Sequence, residues 1–359
     1  MAIHPALHEG PATQRLVVPR RNTLLLIFVI TALLTAGTAL LLWQLADNPL
    51  AYLQGRGFRT TNSVPLLWGT ICVSLAVLFF TVVTLLAAIY RTRPAQRYSD
   101  ITRPPGGVSW IFTGVGVSTL LLLGTTVWTV RVLSANSAPR REAAVKLAVI
   151  GHQWWWEVRY QSDEPSRTFR TANEIHIPAG EPVEISLQAA DVIHSFWIPK
   201  LAGKTDLIPG QTNRTWIEAD EPGTFLGRCG EYCGLQHAHM SMTVIAEPPD
   251  RFKAWWDHQL ASQPAAVSEA SIAGQSTFIQ KCGACHTVRG SGASGILGPD
   301  LTHLMTRSTI AAGTLPNTEG HLSGWIADPQ SVKPGAYMPR LNISGPELNR
   351  VRNYLETLN

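Results

Sequence analysis

Three stretches of the chain carry no charged residue: 25 positions between Arg21 and Asp47, 31 between Arg59 and Arg91, and 27 between Arg103 and Arg131. A bilayer core takes about 20 apolar residues of helix, and runs 23–45, 64–90 and 108–130 each meet that length. Past Arg131 the pattern changes. Short stretches at 145–150, 181–187, 213–219 and 242–246, several of them alternating apolar with polar, are separated by Pro, Gly and Asp turns. That spacing predicts an antiparallel β-sandwich over 140–257. An Ala-, Ser- and Gln-rich segment at 258–275 reads as a linker. From 276 to 359 short helical pieces follow, the last with Leu348, Val351, Tyr354 and Leu355 at helical spacing. The pattern describes a membrane-anchored multidomain protein.

Composition agrees once it is divided by segment. Charged residues make up 15% of the chain, below the roughly 25% of soluble domains, and the deficit lies in the three runs. Residues 1–130 hold nine Arg and three acids, whereas 131–359 hold 20 Lys+Arg and 22 acids. The basic excess therefore flanks the apolar runs and is no nucleic-acid footprint.

The loop 91–103 contains Arg91, Arg93, Arg97 and Arg103 against Asp100 alone. By the positive-inside rule it is cytoplasmic, so 64–90 and 108–130 form a transmembrane hairpin within 61–133, and everything beyond Arg131 lies outside. Segment 1–60 holds the extra run 23–45, which follows Arg15, Arg20 and Arg21. It reads either as a signal peptide or as a retained third helix. Both readings leave the outer portion on the same side.

Two constellations carry chemistry. The first is Cys229-Gly-Glu-Tyr-Cys233-Gly-Leu-Gln-His237-Ala-His-Met240, with His194 from an upstream strand. Thiolate, imidazole and thioether together favour copper over hard cations, and two thiolates suffice to bridge two metals. A Cys229–Cys233 disulfide and a Cys/Cys/His zinc site are the competing readings. The second is Cys282-Gly-Ala-Cys285-His286, the covalent haem c attachment sequence, with His286 placed to ligate the iron. The alternative, a thioredoxin-like Cys-x-x-Cys, would need a βαβ setting. Met338, in Ala-Tyr-Met-Pro-Arg, is the second axial candidate, and Met305 reads as a packing residue. A His/Met pair gives a high potential. Gly298-Pro299 resembles the loop of c-type cytochromes whose carbonyl accepts from the axial His ring N–H, which implies that it orients His286.

In order and spacing, Gly151-His-Gln-Trp154-Trp-Trp156-Glu-Val-Arg-Tyr160, Asp191-Val-Ile-His194-Ser-Phe-Trp197, Lys204-Thr-Asp206-Leu-Ile-Pro-Gly210 and the Cys/His/Met loop resemble subunit II of the haem–copper cytochrome c oxidases. The resemblance covers about residues 60–257, and a C-terminal cytochrome c domain is a known variety of that family. It implies a cupredoxin-like sandwich (140–257) followed by an all-α class I cytochrome c domain (276–359). It further implies a dinuclear CuA centre held by His194, Cys229, Cys233, His237, Met240 and the Glu231 carbonyl. Trp154 would be the residue through which electrons enter, and the Glu231 side chain would share a magnesium ion with subunit I. His239 is not at a ligand position.

The implied function is electron intake by a respiratory oxidase of the bacterial inner membrane: external donor, haem c, CuA, then haem a of subunit I. The implied partners are subunits I and III and a donor such as a cytochrome c or a cytochrome bc complex, with no nucleic acid. Full copper ligation separates the chain from quinol-oxidising relatives. The rival readings are the corresponding subunit of a copper-containing nitric oxide reductase and a membrane-tethered cytochrome and copper carrier. One departure stands out: where relatives have a proton-uptake Glu three residues before Trp110, this chain has Gly107. The flexible linker would confine the two redox domains to mutual reach within roughly 20–25 Å.

Overall fold

The computed structural model describes residues 21–45, 48, 50–90 and 107–359; the arginine-rich loop 91–103 lies outside them. Two compact units divide the chain. The first holds helix α1 (Arg21–Leu45) and the apolar lengths of α2 (Phe58–Tyr90) and α3 (Gly107–Asn136). Here Phe28 of α1 meets Phe79 of α2 edge-on, with ring centroids 5.2 Å apart. Apolar side chains of α2 and α3 point outward, Leu120 and Leu122 being 71% and 68% exposed. Such helices suit lipid, because every backbone group is bonded within the helix while the side chains match hydrocarbon. Both are long and apolar enough to cross a membrane. The first turn of α3, at Gly107, holds no acid.

Both helices overrun the apolar runs at their outer ends, and polar contacts within the second unit explain the extra turns. Arg59 donates to Thr215 Oγ1 and the Trp216 carbonyl (2.9 and 3.1 Å), and Thr61 donates to Asp220 (2.8 Å). Asn136, at the end of α3, donates to the Arg59 carbonyl and to Ser63 (both 3.0 Å) and accepts the Trp216 indole N–H on its carbonyl (3.2 Å). α2 thus begins six residues before Val64 and accommodates Pro65 in its second turn.

The second unit begins with a sandwich of two five-stranded sheets. One orders its strands β3-β2-β1-β5-β8, from β1 (Val145–His152), β2 (Trp155–Gln161), β3 (Phe169–Ala172), β5 (Val183–Ala189) and β8 (Asn213–Ile217). The other orders β4-β10-β9-β6-β7, from β4 (Glu174–Pro178), β6 (His194–Trp197), β7 (Thr205–Leu207), β9 (Gly223–Cys229) and β10 (Ser241–Glu247). The sheets are mixed, not wholly antiparallel: β1 pairs parallel with β5, and β4 with β10. Residue alternation reports which face a side chain takes and says nothing of strand direction, so these pairings were invisible in the pattern. Trp156, Tyr160, Ile175, Ile177, Ile185 and Leu187 fill the interior, and α4 (Pro249–Leu260) lays Phe252 and Trp256 against it.

The C-terminal domain packs α5 (Glu269–Lys281) against α8 (Gly345–Leu355), with α6 (Glu319–Ala327) and α7 (Pro329–Val332) beside them. Phe278, Val351, Tyr354 and Leu355 form the contact, and Met305 packs on the same core. Gly274 permits the close crossing: a Cβ there would lie 2.6 Å from the Arg350 carbonyl oxygen and 2.8 Å from Tyr354 Cβ. A reciprocal capping box between Ser344 and Glu347 starts α8.

The stretch 258–275 departs from a flexible tether. Its first residues end α4 and its last belong to α5, leaving 261–268 between helices. Even that piece is fastened: Arg289 donates to the Leu260 carbonyl (3.2 Å), Gln263 N to the Arg289 carbonyl (3.0 Å), and the His303 ring bonds the Ala261 carbonyl (3.1 Å). The Gln263 side chain adds bonds to the Thr302 and Asn359 carbonyls (2.5 and 2.8 Å); Ala/Ser/Gln composition reads as a tether because the partners of these bonds lie far along the chain.

Candidate copper and haem sites

Strand ends and one loop assemble the first site. β6 opens with His194, β9 closes with Cys229, and the loop between β9 and β10 supplies Cys233, His237 and Met240. Backbone bonds fix that loop to its strands: Cys229 N donates to the Met240 carbonyl (3.0 Å) and Gly230 N to the Ser195 carbonyl (2.9 Å). His194, Cys229, Cys233 and Met240 are buried, and the donor atoms of the first three lie within 4.8 Å of one another.

The donors fall into two sets. Cys229 Sγ lies 3.9 Å from His194 Nδ1 and 3.2 Å from the Glu231 carbonyl oxygen. Cys233 Sγ lies 3.5 Å from His237 Nδ1 and 3.8 Å from Met240 Sδ. Each thiol therefore has one imidazole nitrogen and one weaker donor. Both cysteines are free. The residues fit a pair of soft metals bridged by two thiolates: a single tetrahedral zinc would leave two of these six donors unused. The Cys233 thiol also faces Cys229 as a donor. This lowers the Cys229 pKa and raises that of Cys233.

Other residues of the same sequence motifs hold the candidate donors in place. The His194 Nε2–H donates to Asp191 Oδ1 (2.8 Å), which leaves Nδ1 as the free donor facing Cys229. Burial of the ring disfavours its charge, but the hydrogen bonds with Asp191 and Cys229 outweigh this and raise its pKa. Asp191 is itself held by Gln153 N (2.6 Å) and Val192 N (2.7 Å). Gly151 walls the other side of the ring: a Cβ there would sit 2.7 Å from His194 Cδ2. The only signal for Asp191 in the sequence was an acid three residues before a ligand.

Trp154 is 8% exposed, and its indole N–H donates to the Cys233 carbonyl (2.9 Å). The Glu231 carboxylate is half-exposed and accepts from Lys204 (3.1 Å), which also lies 3.9 Å from Asp206. His239 is exposed and bonds Gln236 (2.8 Å), away from the donor sets.

The second site follows α5 directly. Cys282 and Cys285 are free and half-buried, and burial pushes the Cys282 thiol up to about 11. His286 Nδ1 donates to the Pro299 carbonyl (2.8 Å), so Nε2 is the nitrogen free to ligate. Burial lowers the pKa of this ring, keeping it neutral as a ligand must be. Gly298 lies against it, where a Cβ would be 2.6 Å from Cε1. Two thiols, a neutral oriented imidazole and a glycine wall fit a covalently attached haem. Met338 is half-buried, its carbonyl held by Gln330 Nε2 (2.8 Å).

Fold and donors together define a membrane-anchored cupredoxin-like domain with an appended cytochrome c domain. Residues 161–247 match the family described as cytochrome c oxidase subunit II, periplasmic domain, and residues 271–359 match cytochrome c. Cytochrome c oxidase subunit 2 of Alkalihalophilus pseudofirmus is 34% identical over 293 residues, which is 79% of this chain and 82% of the relative. That of Bacillus sp. PS3 is 32% identical over 69% and 73% of the two chains. The periplasmic domain of subunit II of a Bradyrhizobium japonicum cytochrome oxidase is 28% identical, with a TM-score of 0.31, over 33% of this chain and 95% of that one. The chain belongs to the cytochrome c oxidase subunit II family, whose members are part of a haem–copper oxidase.

Proposed function

We propose that this chain is the subunit through which a respiratory cytochrome c oxidase of the bacterial inner membrane takes up electrons. It would accept them from an external donor such as a cytochrome c or a cytochrome bc complex and deliver them to subunit I, with subunit III alongside. The observation that carries the reading is the pair of free thiols, each set against its own imidazole Nδ1, beside an indole bonded to the Cys233 carbonyl. His194, Cys229, the Glu231 carbonyl, Cys233, His237 and Met240 would hold a dinuclear copper centre. Cys282, Cys285, His286 and Met338 would hold haem c. Bound there, the two groups supply reversible one-electron chemistry.

The chain's own residues prepare both sites. Asp191 and Pro299 each take the non-ligating N–H of a histidine, fixing which nitrogen remains free. Burial of His194, Cys229, Cys233 and Met240 excludes water, so little solvent must reorganise when charge changes. Trp154 bridges from the copper ligand loop toward the cytochrome domain. The Glu231 carboxylate, which accepts from Lys204, would share a magnesium ion with subunit I.

Metal and haem analysis of the purified intact complex tests the reading. Two copper atoms per chain, an EPR signal of a coupled copper pair that is lost in Cys229→Ser, and haem c abolished in Cys282→Ser are expected. One zinc per chain in place of copper would refute it.

A further inference from the structure

The cytochrome domain sits on the sandwich through a buried amine. Lys333 is 2% exposed. Its Nζ donates to the Trp154 carbonyl (2.6 Å) and to the Ala311 carbonyl (3.1 Å), one from each domain. Burying an amine against neutral carbonyls is costly, and burial pushes this one down to about 7. A lysine placed only to start a surface loop would keep its head in water.

The loop that follows Lys333 explains the placement. The Pro334 carbonyl accepts from Gln236, which lies between Cys233 and His237 (2.8 Å). Gly335 faces the Trp154 indole, where a Cβ would be 3.7 Å from Cη2. Tyr337 donates to Gln153 (3.2 Å). Gln330 then ties the loop internally, accepting from Gly335 N (2.9 Å) and donating to the Ala336 and Met338 carbonyls (both 2.8 Å). One short segment therefore covers Trp154 at its start and carries Met338 at its end.

We propose that Lys333 is a positioning residue for electron transfer between the two domains, holding the Met338-bearing loop on Trp154. This rests on the reading of Trp154 as the residue through which electrons enter the copper domain. One electron leaves the haem side and one arrives on the copper side; Lys333 exchanges neither electron nor proton and acts through geometry. Contacts that do not involve Lys333, Ser308 N to Glu174 (2.7 Å) and Arg307 to Thr171 (3.4 Å), join the domains without it. Its loss should therefore loosen the Trp154 face rather than separate the domains.

The test compares Lys333→Met and Lys333→Arg in the intact complex. Oxidative footprinting of Trp154 reads docking whether or not the metals are bound, and flash-initiated kinetics read transfer from haem c to copper. In Lys333→Met, loss of the hydrogen-bonded amine should raise Trp154 labelling and slow transfer, each by about tenfold. The absorbance of methionine-ligated haem and the copper EPR signal should stay as in the wild type. Lys333→Arg, which keeps the donor, should recover most of both. Unchanged labelling and rate in Lys333→Met would overturn the proposal. So would slow transfer with Trp154 still protected and methionine ligation lost, because the lysine would then serve the axial ligand alone. Raised labelling with an unchanged rate would overturn it through its premise, showing docking by Lys333 but no electron path through Trp154.

Discussion

Asp191 should matter to copper although it is no ligand. Replacing it with Ala removes the acceptor of the His194 Nε2–H, 2.8 Å away, and with it the constraint that presents Nδ1 to Cys229. His194 is 0% exposed; water can enter the space left by the Asp191 side chain, which is 21% exposed, but it does not hold the ring in one orientation. Partners that orient a metal-bound histidine are worth about 10–100-fold in affinity, or about 1.4–2.8 kcal/mol. Two backbone donors, Gln153 N and Val192 N, lose their acceptor as well, which adds about 1–3 kcal/mol to the cost in folding stability. The affinity is measured by competition between the apo complex and a copper chelator of known strength, and the stability by urea midpoint. Asp191→Asn is the milder change: an amide oxygen in the place of Oδ1 still accepts from Val192 N and the His194 Nε2–H while the Gln153 N bond is lost, so stability and copper affinity should both fall less than in Asp191→Ala. Copper affinity within about threefold of wild type in Asp191→Ala would refute the argument that this carboxylate sets the His194 ligand.

Three further outcomes follow from the geometry. Gly274→Ala should destabilise the cytochrome domain by about 1–3 kcal/mol by urea midpoint, even though Ala favours helix, because its Cβ would meet the Arg350 carbonyl at 2.6 Å. Glu157, buried between His152, Arg159 and Arg170, has its carboxyl lowered to about 2: burial opposes ionisation, but the His152 and Arg159 hydrogen bonds and the Arg159 and Arg170 charges outweigh it. Its stabilisation is therefore complete above its unfolded value of 4.5 and lost as pH falls toward 2. The stability gap between wild type and Glu157→Gln, on the order of 3 kcal/mol at pH 7, should close over that window in pH-dependent urea titrations. Finally, transfer from haem c to copper should be independent of protein concentration and nearly flat from low to high salt in stopped-flow measurements, since hydrogen bonds hold the domains rather than long-range charge.

Much of this architecture was legible because it is written in local patterns. A charge-free run needs no tertiary context to indicate a membrane helix, and Cys282-Gly-Ala-Cys285-His286 holds its candidate haem-attachment residues within five positions. The Cys229–Met240 loop is nearly as local, needing only His194 from elsewhere. Strand direction was not legible, since β1 and β5 look the same whether parallel or antiparallel. Helix ends were also hidden: the turns of α2 before Val64 are helical because Arg59 and Thr61 find partners some 155 residues away on the sandwich.

The relation between the two redox domains shows where local reading stops. As sequence, 258–275 is a polar tether, and a tether implies a cytochrome domain that searches for its acceptor. The bonds that cancel the search come from residues far along the chain: Arg289 and His303 fasten 260–263, and Lys333 reaches Trp154 across 179 positions. None has a recognisable motif, because a lone Lys or His gains its meaning only from the carbonyl it meets. A soluble donor that must dock by diffusion depends on surface charge. A domain already seated on Trp154 does not, which is consistent with an interface held by short hydrogen bonds and with net charges of only −3 and +1 on 131–262 and 263–359. On the proposed function, covering Trp154 also changes which surface an external donor would use: electrons would arrive on the cytochrome domain, because Trp154 lies beneath Gly335 and Lys333.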